Sequence, residues 1–369
     1  MKKTLEFIKS QSVLVIAFAA ALVTIFIIPP DKNYSGYINR TVLIQLFCLM
    51  TSVSGFRSIG VFENASSALL KKTGNIRRLG VIFTLICFFC SMIVTNDVAL
   101  ITFVPFTLMV YEKINDEKSK ILTIVLETAA ANLGSMVTPF GNPQNLYIYD
   151  KYNLTLADFF ETLLPSAAVS LAALMLLCLI LPKNRCTAVS AENCKISKAK
   201  GAVYLGVFVM CLLTVFRVIP DWICLTAAVT AALIVDRRLL LKVDYGLLAT
   251  FVCFFIFVGN ISRIETVSNF ISNIIEDREV LVSAAISQVI SNVPAAVMLS
   301  GFTDNGRELL LGVNLGGLGT IIASLASLIS FKFYRVSGGA KTGRYMAVFS
   351  AVNFGLLLLL LTLAFVGIL

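Results

Sequence analysis

The chain has 369 residues, 58% of them hydrophobic and only 14% charged, with a formal net charge of +9. That composition excludes an ordinary soluble globular protein. The absence of histidine excludes His-ligated metal sites and nucleophile–His catalysis, and basic residues confined to short loops report membrane orientation rather than a nucleic-acid partner.

Apolar stretches run at 12–28, 41–56, 79–94, 98–111, 121–137, 163–181, 201–217, 222–235, 244–260, 280–302, 309–331 and 345–367. A crossing helix needs roughly 20 apolar residues, and these segments mostly lack the polar stripe of a soluble helix. The sequence predicts an all-α polytopic membrane protein. The first stretch follows Lys2 and Lys3 as a signal peptide would. It is longer than a signal core, however, and ends at Ile28-Pro29-Pro30 rather than at a small-residue cleavage site, so it is predicted to remain as a transmembrane helix.

Let the N-terminus lie inside, and let 79–111 and 280–302 each enter and leave on one side. The cytoplasmic loops then collect Lys2, Lys3 and Lys9; Lys71, Lys72, Arg77 and Arg78; and Lys113, Lys118 and Lys120. They also collect Lys183, Arg185, Lys195, Lys198 and Lys200, then Arg237, Arg238 and Lys242, then Lys332, Arg335, Lys341 and Arg344. The opposite face keeps Lys32, Arg40, Lys151, Arg217, Arg263, Arg278 and Arg307, with Arg57 near a boundary. This bias predicts an inner (plasma) membrane protein with a cytoplasmic N-terminus, about nine spans and two hairpins. Parity alone does not separate a re-entrant hairpin from two crossings.

The domain order expected is an N-terminal scaffold helix (1–40), a first repeat (41–182), a basic polar linker (183–200), additional scaffold helices (201–243) and a second repeat (244–369). Each repeat runs from a span (41–56 or 244–260) into an amphipathic stretch (57–72 or 261–278). An Asn-bearing pair of arms, a helix interrupted at Asn-Leu-Gly and a final span (163–181 or 345–367) follow. An odd number of crossings between them makes the repeats inverted, the architecture of alternating access. In the second amphipathic stretch Ile264, Val267, Ile271, Ile274 and Ile275 oppose Glu265, Ser268 and Glu276, as in a helix lying at the interface.

One short pattern occurs in both repeats. Thr95-Asn96-Asp97 precedes Asn132-Leu133-Gly134 and Thr138; Ser291-Asn292-Val293 precedes Asn314-Leu315-Gly316 and Thr320. Polar groups inside apolar segments are costly unless they bind something or each other. Pro105, Pro139 and Pro143 disrupt helical hydrogen bonding, and Gly134 and Gly141 loosen it. The segment Thr138–Pro143 is therefore predicted to free backbone carbonyls in mid-membrane. With nearby hydroxyl and amide oxygens these suit a hard monovalent cation such as sodium, while half-helix N-termini suit an anion. The competing reading is close helix packing by small residues.

Asp97 is the acid placed to ligate sodium or carry a proton, because a charge in hydrocarbon is expensive; capping of the following helix is its structural alternative. Glu127, a turn before Ala131-Asn132, faces the same cavity or sits at the cytoplasmic boundary. Arg57 and Glu63 are expected at the interface in a structural role. Cys87-Phe88-Phe89-Cys90 reads as small apolar residues of one helix, and no GxxxxGK[ST] phosphate loop is present.

The strings TNDVALITFVPF, ANLGSMVTPFGNPQNLY, SQVISNVPAAVML and GVNLGGLGTIIASLASL resemble the signature regions of the ion transporter superfamily. That group includes divalent-anion/sodium symporters, citrate-transporter-like permeases, arsenite permeases and one class of sodium/proton antiporters. The resemblance covers about residues 41–367. It implies a first ion and substrate site at Thr95 and Asn96 with the Gly134–Gly141 segment, including Thr138, and Asn142 just beyond it. It implies a second at Ser291 and Asn292 with the Gly316–Ala323 segment, including Thr320, and matching places for Asn145 and Ser327. Those symporters carry Thr where this chain has Asp97 and Val293, and the acid resembles arsenite-permease patterns, whose cargo is neutral or singly charged.

The expected function is sodium- or proton-coupled secondary transport of a small anion or oxyanion by an elevator mechanism. Sodium would sit at Thr95, Asn96, Asp97, Ser291 and Asn292, without another cofactor, in a homodimer within the lipid bilayer. The alternatives are a sodium/proton antiporter, an arsenite-type efflux permease and, more remotely, an intramembrane enzyme or a channel.

Overall fold

Each predicted apolar run is helical in the computed structural model, which describes residues 11–61, 64, 74–184 and 197–368. Lys2, Lys3, Lys9, Glu63, Lys71, Lys72, Arg185 and Lys195, with most of the first amphipathic stretch and of the linker, lie outside the described residues. The helices of the first half are α1 (Ser12–Ile27), α2 (Arg40–Ser58), α3 (Ile76–Val94), α4 (Asn96–Ile114), α5 (Glu117–Ser135), α6 (Pro143–Lys151) and α7 (Leu156–Cys178). The second half continues with α8 (Lys198–Val215), α9 (Asp221–Val235), α10 (Tyr245–Ile261), α11 (Glu265–Ile275), α12 (Glu279–Ile290) and α13 (Asn292–Leu299). Helices α14 (Gly306–Leu315), α15 (Leu325–Val336) and α16 (Thr342–Phe365) complete it.

By length and apolar composition α2, α3, α7, α8 and α16 can each cross a membrane, and α10 with α11 makes a sixth candidate bent by 106°. The protein is an integral membrane protein. The expected figure of about nine spans also draws on the shorter apolar helices α1 and α9. Helix α4 is long enough and apolar between Asp97 and Glu112, and α5 carries more polar residues, a cost it escapes because nearly every residue from Ser119 to Ser135 is buried in protein. It is the central post of the fold, packed by α3, α4, α7, α15 and α16.

Two groups of helices surround that post. Helix α2 packs on α8 and α9, tied by Gln45 to the Thr214 carbonyl and Ser52 to the Tyr204 carbonyl, and α1 packs along α10. Helices α3–α7 and α12–α16 form the larger group. The groups meet where α13 touches α10 and where α6 touches α2. Arg217, at the end of α8, reaches across to the carbonyls of Tyr149 and Leu154 at the end of α6.

The chain breaks at the same place in both motif pairs. Between α3 and α4, Thr95 has φ 76° and ψ 152°; between α12 and α13, Ser291 has φ 79° and ψ 153°. Such positive-φ geometry costs about 1–3 kcal/mol in a residue with a Cβ, so both tips are strained in the same way. The arms differ: α3 and α4 have 19 residues each, whereas α12 and α13 have 12 and 8. Pro105 lies inside α4 without ending it. In α11, Ile275 is buried but Ile274 is exposed, so Ile274 is not part of the packed face.

Glycines let the arms press on the interrupted helices. A Cβ on Gly134 would lie 2.1 Å from the Phe88 carbonyl oxygen, and one on Gly316 would lie 2.8 Å from the Ala284 Cα. Phe88 and Ala284 each sit about two turns before their tips. Gly134→Ala is expected to force α3 off α5, at a cost of about 1–3 kcal/mol. A lower melting temperature of the detergent-solubilised protein checks this.

Candidate functional site

The two tips face one another across a gap of about 10 Å³ lined by Asn96, Asp97, Asn292, Val293, Gln144 and Ser324. That is room for one water-sized occupant. The gap is framed by the two interrupted helices, which are laced together reciprocally. The Asn132 side-chain oxygen accepts from Asn96 (3.0 Å) and from the Ser324 hydroxyl (2.9 Å). Its amide donates to the Ser327 hydroxyl and the Gly317 carbonyl, both at 3.4 Å. In the opposite sense, Asn314 donates to Asn145 (2.6 Å) and accepts from Asn142 (3.2 Å). Each Asn-Leu-Gly asparagine thus bonds the far end of the other half's break, and all of these side chains are buried.

Several backbone carbonyls around the breaks are held by side-chain amides. The Asn145 amide donates to the carbonyls of Ser135, Met136 and Thr138. In the second break the Gln288 amide donates to the carbonyls of Gly316 and Leu318, both at 3.0 Å, and its oxygen accepts from the Thr320 N–H (2.8 Å). Unpaired carbonyls in hydrocarbon cost several kcal/mol, and side-chain amides relieve that here. The two predicted hydroxyls are latches as well: Thr138 donates to the Met92 carbonyl (2.5 Å) and Thr320 to the Gln288 carbonyl (2.9 Å). Met92 and Gln288 each stand about one turn before a tip. Gly141, too, is placed by packing, since a Cβ there would meet the Ser135 carbonyl oxygen at 2.1 Å.

Asp97 behaves differently. Its N–H donates to the Asn96 side-chain oxygen, but among the described residues its carboxylate has no hydrogen-bond or ion-pair partner, and no side chain caps α4. It borders both the gap and a chamber of about 410 Å³ that also contacts Thr95 and Asn142. Arg57, expected at the interface, borders this chamber with Lys242 and Asp244. At the second tip, the Ser291 hydroxyl donates to the Asn292 side-chain oxygen, and the Asn292 N–H to the Ala323 carbonyl.

Glu127 lies between α4 and α5, fully buried, and accepts from the Thr107 hydroxyl; it borders neither the gap nor the chamber. Cys87 is buried in the core and Cys90 is half-buried. Sequence reasoning missed Gln288 and Ser324. Gln288 was findable as an amide inside the apolar arm 280–290; Ser324 looks like any small residue.

Comparison with known proteins identifies the family. A family model described as Citrate transporter matches residues 6–304. The Uncharacterized transporter MJ0456 of Methanocaldococcus jannaschii is 31% identical over 83% of this chain and 84% of its own length. The Inner membrane protein YbiR of Escherichia coli is 29% identical over 83% of each. The fold is similar to the crystal structure of the YdaH transporter of Alcanivorax borkumensis, with a TM-score of 0.55 at 12% identity over 91% of this chain and 87% of that one. The chain belongs to the citrate transporter family, a family of secondary transporters within the ion transporter superfamily.

Replacing Asn314 with Leu would leave the side-chain amide of Asn142 and the side-chain oxygen of Asn145 each short of a partner. The expected cost is about 1–3 kcal/mol for each buried group left unsatisfied. Asn132→Leu should cost a similar amount for the mirrored reason, and thermal unfolding of both variants checks it.

Proposed function

We propose that this member of the citrate transporter family is a cation-coupled secondary transporter of a small anion. In this reading sodium occupies the gap between the tips. The observation that carries it is the pairing of a water-sized gap with a larger chamber, joined by a single unpartnered carboxylate, Asp97. Asn96, Asn292 and Asp97 border the gap, and hard oxygen donors such as their side chains carry suit sodium.

Coupling follows from charge. Carrying a bare carboxylate through hydrocarbon costs about 2.5–3.5 kcal/mol even on the most lenient scale. A cation in the gap cancels the Asp97 charge, so the loaded protein can move where the empty one is held back. The two motif-bearing halves are proposed to be inverted repeats, and α3–α7 with α12–α16 the moving body. That body would slide along a scaffold built on α8 and α9, whose exposed Trp222, Leu233 and Ile234 are the proposed dimer face. The N-terminus is proposed to lie on the cytoplasmic side of an inner membrane, a reading supported by the basic loops.

The gap's size supports a second reading, sodium/proton exchange with no solute, because about 10 Å³ admits a bare ion but no polyatomic anion. Sodium flux unaffected by any added solute would favour it. The test of either form is Asp97→Asn in proteoliposomes. Ion-driven transport is expected to fall at least tenfold while the melting temperature is kept. Unchanged ion-dependent transport overturns the assignment of Asp97.

A further inference from the structure

The chamber beside Asp97 has walls unlike those of a site for a hydrated inorganic ion. Leu49, Met50, Ile101, Phe140 and Ile329 face it, so most of its lining is apolar. Its charged groups are Arg57 and Lys242, with Asp97 and Asp244. Among the described residues neither Arg57 nor Lys242 has an ion-pair partner. Asp244 is already engaged, accepting from the Leu247 N–H (2.9 Å) as the cap of α10. At about 410 Å³ the chamber falls within the range of about 300–1,000 Å³ typical of small-molecule sites, which are apolar with a few placed polar groups.

We infer that the transported anion is an organic monocarboxylate with a hydrocarbon body, bound in this chamber with its carboxylate between Arg57 and Lys242. The inference deepens the cation-coupled reading and rests on it. Two bases and two acids sum to zero formal charge, and a cation at Asp97 leaves one positive charge in excess. One negative charge balances it. A tricarboxylate would bring two further charges against apolar walls, and burying unpaired charge is strongly unfavourable. An inorganic oxyanion could take the same basic groups but has no hydrocarbon body to bury against the apolar walls. A carboxylate matches the paired N–H donors of a guanidinium, and a short aliphatic or aromatic tail buries against Ile101 and Ile329. Arg57 and Lys242 are thereby specificity-determining residues on the side assigned to the cytoplasm.

The test uses the full chain in nanodiscs with sodium and measures thermal stabilisation by 4-methylpentanoate, phenylacetate, citrate and sulfate. The two monocarboxylates are expected to bind at least tenfold more tightly than citrate or sulfate. Arg57→Gln and Lys242→Gln should each weaken them about tenfold, with Lys242→Arg restoring binding and the ligand-free melting temperature unchanged. Tighter binding of citrate or sulfate, or unaltered monocarboxylate binding in both Gln variants, overturns the inference and leaves anion transport standing. Sodium flux indifferent to every solute would overturn both.

Discussion

The structure depends on one reciprocal contact: Asn132 of the first interrupted helix bonds the far end of the second break, and Asn314 of the second bonds the far end of the first. Each asparagine is buried where water cannot satisfy it, so the partner half must supply its hydrogen bonds. That requirement fixes the register of the two breaks. It also brings the two strained tips, Thr95 and Ser291, to the same level, and the gap between them follows. Beside that hydrogen-bonded lattice the Asp97 carboxylate has no partner among the described residues, and neither has the buried side-chain oxygen of Gln144 across the gap.

The same lattice braces the two breaks in different ways. Asn145 closes the first break from within its own half-helix, whereas Gln288 closes the second from the arm of α12. The second arm pair and its interrupted helix are therefore stapled as one body. The two helix groups touch where α13 meets α10 and α6 meets α2, through the Arg217 bonds to the end of α6, and through Asn39 to Asp150 and Ser272 to the Phe302 carbonyl.

Much of this was legible in the residues. The apolar runs marked the helices to within a few positions, because the thickness of the hydrocarbon layer dictates how long an apolar run must be. The Thr-Asn and Ser-Asn tips and the Asn-Leu-Gly breaks were visible as polar interruptions placed alike in both halves. What the residues could not show was which partner each polar group finds. The first break read as a stretch of free carbonyls, yet Asn145 holds those of Ser135, Met136 and Thr138; Thr138 and Thr320 read as site oxygens, and their hydroxyls also tie the breaks to the arms. Arg57 read as an interfacial residue because its neighbours in the chamber, Lys242 and Asp244, are remote in sequence. Charge and hydropathy are local signals, whereas satisfaction of buried polar groups is a long-range one.

The central claim is that both tips build a single cation pocket. Equilibrium binding of radioactive sodium to the purified protein tests it most directly, comparing the intact chain with Asn96→Ala and Asn292→Ala. The account predicts one saturable site that is lost in either variant. Two independent sites, each surviving loss of the opposite tip, would contradict it.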